Sequence, residues 1–165
     1  MGDAPRSGAS RSDDQTLGAS MPSVAVIGLG AMGMGTARAL LEAGLPVTGC
    51  DINPAALAEF EAAGGKTAKT PAEAARGGSI VLLVVVNADQ VEAVLFGKDG
   101  VLAGTSAATA ASGAGTSPTP AGLGPNPVIL QNATVPPAYA EALAERMPAG
   151  VELLDAPISG GAVKA

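Results

Sequence analysis

Short apolar runs alternate along the chain with longer, Ala- and Leu-rich segments. The runs are rich in β-branched residues and have the length of strands that are buried on both faces of a sheet. The segments between them are long enough for helices, so the alternation predicts an α/β fold with a doubly wound parallel sheet. The predicted strands are Val24–Ile27, Pro46–Cys50, Lys66–Ala68, Ser79–Val86, Val128–Gln131 and Val151–Leu154.

Signals for helix starts stand between these runs. Asn53-Pro54 combines a side-chain cap with proline at the first helical position. Thr70-Pro71-Ala72-Glu73 has the spacing of a capping box. A further helix is expected from Asn87 through Leu95, and another follows Thr134-Val135-Pro136-Pro137 and ends near Arg146. Each signal falls where the alternation needs a helix.

Two segments lack this pattern. Residues 1–21 are rich in Gly, Ser and Asp and are predicted to form a disordered tail. Residues 103–127 carry no charge and consist mainly of Ala, Gly, Ser, Thr and Pro, which predicts a flexible insertion. The expected organisation is therefore a tail followed by one domain over residues 22–165 that contains the insertion.

A glycine loop directly follows the first predicted strand. Gly28 allows a tight turn, Gly30 allows a phosphate to approach the backbone, and Gly33 allows the next helix to pack closely. This arrangement is typical of a dinucleotide-binding site. Asp51 lies 18 residues beyond Gly33 at the end of the second strand, where it would bind the adenine ribose of the dinucleotide. Glycine is frequent, with 23 of 165 residues, so the spacing alone is weak and a turn without function is the alternative. A methyltransferase is a second alternative, but Ile27 occupies the place of its usual acidic residue.

Ligands of doubly wound sheets bind beyond the carboxyl ends of the strands. Ser159-Gly160-Gly161 offers a hydroxyl and accessible amides for a carboxylate, with a plain glycine turn as the alternative. Asp155 is expected to bond local amides, with the role of a catalytic acid as the alternative. The segments expected to meet at this edge are Gly28–Gly33, Asp51-Ile52, Val86-Asn87, Thr134 and Asp155–Gly161.

Composition excludes several other functions. The net charge of −6 and an aromatic content of 2% argue against a nucleic-acid partner. The absence of histidine excludes a Ser-His-Asp triad and most zinc sites, and no metal site is assigned. Ile80–Val86, the longest apolar run, is too short to cross a membrane. Cys50 is the single cysteine, which predicts a packed thiol and a cytoplasmic location.

Three motifs together resemble the β-hydroxyacid dehydrogenase family, which includes 3-hydroxyisobutyrate dehydrogenase and is related to 6-phosphogluconate dehydrogenase. Val85-Val86-Asn87-Ala88 and Val94-Leu95-Phe96-Gly97 resemble its L-threonate dehydrogenase branch most. The three motifs are Gly28-Leu29-Gly30-Ala31-Met32-Gly33-Met34-Gly35, Asp51-Ile52-Asn53-Pro54 and Asp155-Ala156-Pro157-Ile158-Ser159-Gly160-Gly161.

The resemblance implies hydride transfer between a nicotinamide cofactor and a small hydroxy acid. It favours NAD over NADP, because Asp51 would repel a 2′-phosphate and Ile52-Asn53 supplies no cation. Ser159, Gly160 and Gly161 would bind the substrate carboxylate. The implied cofactor-binding residues are Gly28, Leu29, Gly30, Ala31, Met32, Gly33, Asp51, Ile52, Val86, Asn87 and Thr134.

The chain also departs from the family pattern. The family's catalytic lysine lies beyond the Ser-Gly-Gly loop, and Lys164 falls too early for it, so no catalytic residue is assigned. The family's helical second domain, which forms its dimer, is also missing, and we expect an inactive fragment. Asn132-Ala133 precedes Thr134 where the family usually has a Ser-Thr pair. A non-enzymatic module that binds NAD(H) is the alternative.

Overall fold

The computed structural model describes residues 21–103 and 122–158. Their six strands form one parallel sheet in the order β3-β2-β1-β4-β5-β6, and the predicted doubly wound α/β fold is confirmed. The strands are β1 (Val24–Ile27), β2 (Val47–Cys50), β3 (Lys66–Thr67), β4 (Ile80–Leu83), β5 (Val128–Gln131) and β6 (Glu152–Asp155). The helices are α1 (Ala31–Glu42), α2 (Pro54–Ala62), α3 (Pro71–Ala74), α4 (Ala88–Phe96) and α5 (Pro137–Glu145).

The sheet separates two apolar layers. Alternate residues of β1 face opposite sides, so Val24 and Val26 lie in one layer while Ala25 and Ile27 lie in the other. In the Val24 layer, α1 and α2 cover the sheet with side chains such as Met34, Ala37 and Phe60. In the Ala25 layer, α3, α4 and α5 do so with Ala74, Val91, Leu95 and Leu143. Cover on both faces explains why the strands are continuous apolar runs.

The central strand β4 is shorter than its apolar run predicts. The sequence suggests Ser79–Val86, but pairing extends only over Ile80–Leu83. The neighbouring strands β1 and β5 also end opposite Leu83. Ile27, the last residue of β1, and Gln131, the last residue of β5, both pair with Leu83. Val84 N still donates to Ile27 O at 2.8 Å, and residues 84–87 then leave the sheet. The strand prediction was wrong by three residues at the end that faces the candidate site.

Side-chain caps begin three of the helices. The Asn53 side chain accepts a hydrogen bond from Ala55 N, and Asn87 accepts one from Gln90 N. Thr70 accepts one from Glu73 N, as the capping box predicts, but the Glu73 carboxylate binds Lys69 N rather than the amide of Thr70. These caps fix where the chain enters each helix after a strand.

Part of the predicted insertion belongs to the described residues. Leu123 packs against the apolar layer that contains Ala25, and Pro127 is fully buried. Gly124 N donates to Gly78 O at 2.9 Å, and a Cβ at Gly124 would lie 3.0 Å from the carbonyl oxygens of Gly77 and Gly78. Residues 122–127 therefore pack closely against the amino-terminal end of β4. Residues 104–121 of the insertion and residues 1–20 of the predicted tail lie outside the described residues.

Candidate functional site

Two glycines of the loop after β1 are required by close packing. Gly28 has φ +98°, and a Cβ on it would overlap the carbonyl oxygen of Val84. A Cβ on Gly33 would overlap the carbonyl oxygen of Gly28, so only glycine lets the first turn of α1 lie against the loop. Gly30 differs, because nothing lies within 4 Å of its Cβ position. The loop is therefore packed tightly below and open above Gly30.

The N-terminus of α1 points out of this loop. Gly30 is its N-cap and provides no side-chain acceptor for the first turn. The N–H groups of Ala31, Met32 and Gly33 have no acceptor within the helix, because the first turn of a helix has no preceding turn. Their partial positive charge and the helix dipole suit an anion at the open position above Gly30.

Asp51 lies at the end of β2, beside this helix N-terminus. Its Oδ2 accepts a hydrogen bond from Leu29 N at 2.6 Å, and its Oδ1 accepts one from Asn53 N at 2.7 Å. The residue is half-buried, whereas the next residue, Ile52, is 99% exposed. The carboxylate thus joins the glycine loop to the start of α2 while part of it still faces solvent.

The bend after β4 is held by a residue that the sequence reasoning missed. Gln90 Oε1 accepts a hydrogen bond from Val86 N at 2.8 Å, and Asn87 Oδ1 accepts one from Gln90 N at 2.9 Å. The sequence does contain a signal for this pair of hydrogen bonds, because Asn87 and Gln90 stand three positions apart at a helix start, as in a capping box. As a result, Val86 is held with 79% of its surface exposed at the carboxyl edge.

The carboxyl end of β5 combines a bonded and an unbonded amide. Asn132 Nδ2 donates to Ala156 O at 2.7 Å, and Asn132 N donates to Leu83 O at 3.0 Å, which ties β5 to both neighbouring strands. Gln131 is only 1% exposed, yet its amide nitrogen and oxygen have no hydrogen-bond partner among the described residues. Gln131 was not singled out from the sequence, because there it is only the last position of a buried strand. Thr134 is exposed beyond this strand end.

Several predicted residues thus lie at one edge of the sheet. The glycine loop, Asp51-Ile52, Val86-Asn87 and Thr134 follow β1, β2, β4 and β5 at their carboxyl ends. Ser159, Gly160 and Gly161 lie outside the described residues. Asp155 ends β6, and its carboxylate has no hydrogen bond within the described part of the chain, so the bonds to local amides expected of it are not seen there.

The Cys50 thiol lies at the end of β2, next to Asp51. Burial raises the pKa of the Cys50 thiol to about 11, as do the negative charges of Asp51 and Glu73, so this thiol stays protonated and packed.

The described residues contain neither a metal-binding cluster nor a membrane-spanning helix. Within residues 21–103 and 122–158, no group of acidic, histidine or cysteine side chains could hold a metal ion. The helices of that same part of the chain include none that is long and apolar enough to cross a membrane.

Comparison with known proteins gives the same picture as the geometry. Residues 23–165 match the family model of the NAD binding domain of 6-phosphogluconate dehydrogenase. The L-threonate dehydrogenase of Cupriavidus necator is 43% identical over 86% of this chain, and that of Haemophilus influenzae is 39% identical over 87%. The alignment covers 42% of each of these two relatives.

A solved structure shows the same relationship in three dimensions. The 3-hydroxyisobutyrate dehydrogenase of Salmonella typhimurium superposes with a TM-score of 0.70 and 38% identity, over 87% of this chain and 44% of that protein. The chain thus spans about two fifths of the length of the relatives it matches. With its glycine loop and acid at the carboxyl edge of a doubly wound sheet, it belongs to the β-hydroxyacid dehydrogenase family and corresponds to the nicotinamide-cofactor-binding domain of these proteins.

Proposed function

We propose that this domain binds NAD, with the diphosphate above Gly30 and the adenine ribose at Asp51. The observation that supports the proposal best is the combination of open space at Gly30 with the uncapped first turn of α1. A diphosphate there would accept hydrogen bonds from the N–H groups that the helix itself leaves without partners. The ribose hydroxyls would donate to the lone pairs of Asp51 that Leu29 and Asn53 leave unused.

The preference for NAD over NADP rests on charge. A 2′-phosphate on the ribose would lie against the Asp51 carboxylate, and neither Ile52 nor Asn53 can neutralise it. Arg38 lines the groove between α1 and α2 together with Asn53, but its guanidinium is 2.9 Å from the Glu59 carboxylate. That ion pair would have to break before Arg38 could contact a phosphate.

Two exposed apolar side chains support a position for the adenine. Ile52 and Val86 are 99% and 79% exposed, and they follow β2 and β4, the two neighbours of β1. A planar base placed over this part of the edge would remove their surface from water. Ile52 and Val86 are therefore proposed to contact the adenine, and Asn87 and Thr134 to line the path toward the nicotinamide.

The whole protein is proposed to transfer a hydride between a small hydroxy acid and the nicotinamide. The alcohol carbon would give a hydride to the nicotinamide ring as its hydroxyl proton leaves to a base, so the alcohol becomes a carbonyl. The L-threonate dehydrogenases that resemble this chain support this substrate class. Ser159, Gly160 and Gly161 are proposed to hold the substrate carboxylate, and no residue of the chain is given the part of the base. The lone Cys50 supports a cytoplasmic location, where thiols stay reduced.

The test is a calorimetric titration of the chain with NAD⁺ and NADP⁺, together with the Gly30→Ala variant. Gly30 has φ −63°, and its Cβ position is open, so alanine fits the fold but projects where the diphosphate would lie. We expect tighter binding of NAD⁺ than NADP⁺ by tenfold or more, and a loss of NAD⁺ affinity of at least about tenfold in the variant, with unchanged thermal stability.

Glu42→Ala is the matched control, because Glu42 is an exposed residue at the opposite end of the same helix. It should leave NAD⁺ affinity unchanged. Equal NAD⁺ affinity in Gly30→Ala and the wild type would contradict the proposed position of the diphosphate above Gly30. Absence of heat with either nucleotide would contradict the proposed function as a whole.

A further inference from the structure

The Asp51 carboxylate makes two backbone contacts that binding a ribose does not require. Its two oxygens accept hydrogen bonds from Leu29 N and Asn53 N at 2.6 and 2.7 Å. Hydrogen bonds from N–H groups to a carboxylate are stronger than those between neutral groups. Asp51 is therefore part of the framework of the glycine loop as well as a group that faces its opening.

A second hydrogen bond, next to the one from Leu29 N, also ties the glycine loop to the end of β2. Gly28 N donates to Cys50 O at 2.8 Å, so two consecutive amides of the loop are bound by two consecutive residues at the end of β2. These bonds fix the position and direction of the chain as it leaves β1. The next amides, beginning with Gly30, are the first that remain for a ligand.

A wrong orientation of the loop would misalign those remaining amides. The first turn of α1 packs against the loop at Gly33, whose Cβ position overlaps the carbonyl oxygen of Gly28. The loop and the helix N-terminus therefore move together, and an anion site made of amides is effective only when its donors are fixed in advance.

We propose that Asp51 is a positioning residue for the diphosphate of the dinucleotide, acting through the Leu29 amide, in addition to its contact with the ribose. This inference rests on the proposed function and extends it. It assigns one carboxylate to two parts of the ligand, one reached directly and the other through the backbone. Its consequence is that loss of the carboxylate weakens binding even of ligands that have no ribose hydroxyls.

The experiment compares ADP with 2′,3′-dideoxy-ADP, which keeps the base and the diphosphate but lacks the hydroxyls that Asp51 would contact. Both are titrated into the wild type and into Asp51→Asn, whose amide can accept from only one of the two N–H groups. We expect Asp51→Asn to weaken binding of the dideoxy nucleotide by roughly fivefold or more, and binding of ADP by a larger factor.

Thr70→Ala provides the matched control. Its hydroxyl caps α3 by accepting from Glu73 N, so the variant loses a side-chain cap while the bonds of Asp51 to Leu29 and Asn53 are kept. The variant should lose some helix stability and leave both nucleotide affinities unchanged. A fivefold loss in Asp51→Asn together with no loss in Thr70→Ala would therefore assign the effect to the carboxylate.

A measurement without nucleotide tests the same contact. Hydrogen–deuterium exchange of the Leu29 amide should be slow in the wild type and at least about tenfold faster in Asp51→Asn. Unchanged affinity for dideoxy-ADP in the variant, or fast exchange of the Leu29 amide in the wild type, would overturn the inference while leaving the ribose contact possible. Failure of the wild type to bind ADP would instead contradict the proposed function, and this inference with it.

Discussion

The two sides of the carboxyl edge differ in how their polar groups are satisfied. On the β1–β2 side, the Asp51 carboxylate and the amides of Gly28 and Leu29 all have partners within the described residues. On the β5–β6 side, the buried amide of Gln131 and the Oδ1 of Asn132 have none there. On the β1–β2 side a short stretch of sequence thus bonds its own loop amides and leaves open only groups that face solvent, whereas on the β5–β6 side the unused hydrogen-bonding groups are buried.

This difference has a physical origin in how local the contacts are. The glycine loop and Asp51 are brought together by one β-α-β unit, whose geometry follows from glycine sterics and parallel pairing. The end of β5 is bordered by β6, its partner in a second β-α-β unit, and also by β4, which comes from a more distant part of the chain. A loop within one unit can be satisfied by its own residues, while a strand end at the junction of two units takes its partners from whichever strands the fold places beside it.

The largest expected effect comes from breaking the packed side of this comparison. Gly33→Ala places a methyl group on the carbonyl oxygen of Gly28, where backbone rather than a flexible side chain would have to move. We expect a loss of unfolding free energy of about 3 kcal/mol or more, or failure to fold, measured by urea denaturation. Gly30→Ala is the control with the same chemical change at an open position, and an equal loss there would contradict the steric assignment.

A gain in unfolding free energy, rather than a loss, is expected on the β5–β6 side, where the buried amide of Gln131 has no partner among the described residues. Gln131→Met keeps the length of the side chain but removes an amide that is buried without a partner among the described residues. Burying such a group is costly, so we expect the variant to be more stable by about 1 kcal/mol.

Gln90→Met makes the same replacement where the amide has partners. Gln90 Oε1 binds Val86 N, so this variant should lose about 1 kcal/mol. Thermal and chemical unfolding of the two variants gives the comparison directly. A loss of stability in Gln131→Met would mean that its amide makes a favourable bond, for example to an ordered water.

The sequence was sufficient where structure follows from local chemistry. Gly28, Gly33 and the Asn53 cap could be predicted because each answers a steric or hydrogen-bonding need within a few residues. The family motifs correctly indicated the fold and the domain type. The end of β4 at Leu83 could not be predicted, because it is set by where β1 and β5 end.

The hydrogen bonds of the site were harder to predict than its residues. The sequence places Asp51 near the glycine loop but cannot show that its carboxylate binds Leu29 N. The lack of a partner for Gln131 depends on what surrounds it in three dimensions, and no sequence pattern marks it. These features require the relative position of strands, which periodicity does not determine.

A smaller effect is expected from the ion pair that joins α4 and α5. Both Glu92 oxygens accept bonds from Arg146, at 2.6 and 2.9 Å, and Tyr139 adds a third donor. The bonds from Arg146 lower the pKa of Glu92, although burial opposes them. A lowered pKa means that the contribution is complete above the pKa of the unfolded chain and is lost as pH falls through the folded value.

Because both side chains are more than a third exposed, at 35% for Glu92 and 47% for Arg146, the contribution is expected to be only about 0.5 kcal/mol. Glu92→Gln should therefore be slightly less stable than the wild type at pH 7, and this difference should vanish in acid. Urea unfolding across about pH 3 to 7, a range that includes the usual carboxyl pKa of about 4.3, measures it. A difference that persists at the lowest pH would assign the effect to packing instead.

The smallest effect on stability is expected at Leu154, on the exposed edge strand β6. Leu154 is 50% exposed, and Leu130, its neighbour on β5, is half-buried on the same face of the sheet. Leu154→Thr replaces leucine with a β-branched residue that suits a strand, and it should change the unfolding free energy by less than about 0.5 kcal/mol. Sedimentation velocity provides the more sensitive comparison, because an exposed apolar position on a strand that has no second neighbour within residues 21–103 and 122–158 favours association. We expect the wild type to self-associate through this position and the variant to associate less at equal concentration, whereas equal association would contradict a role for Leu154.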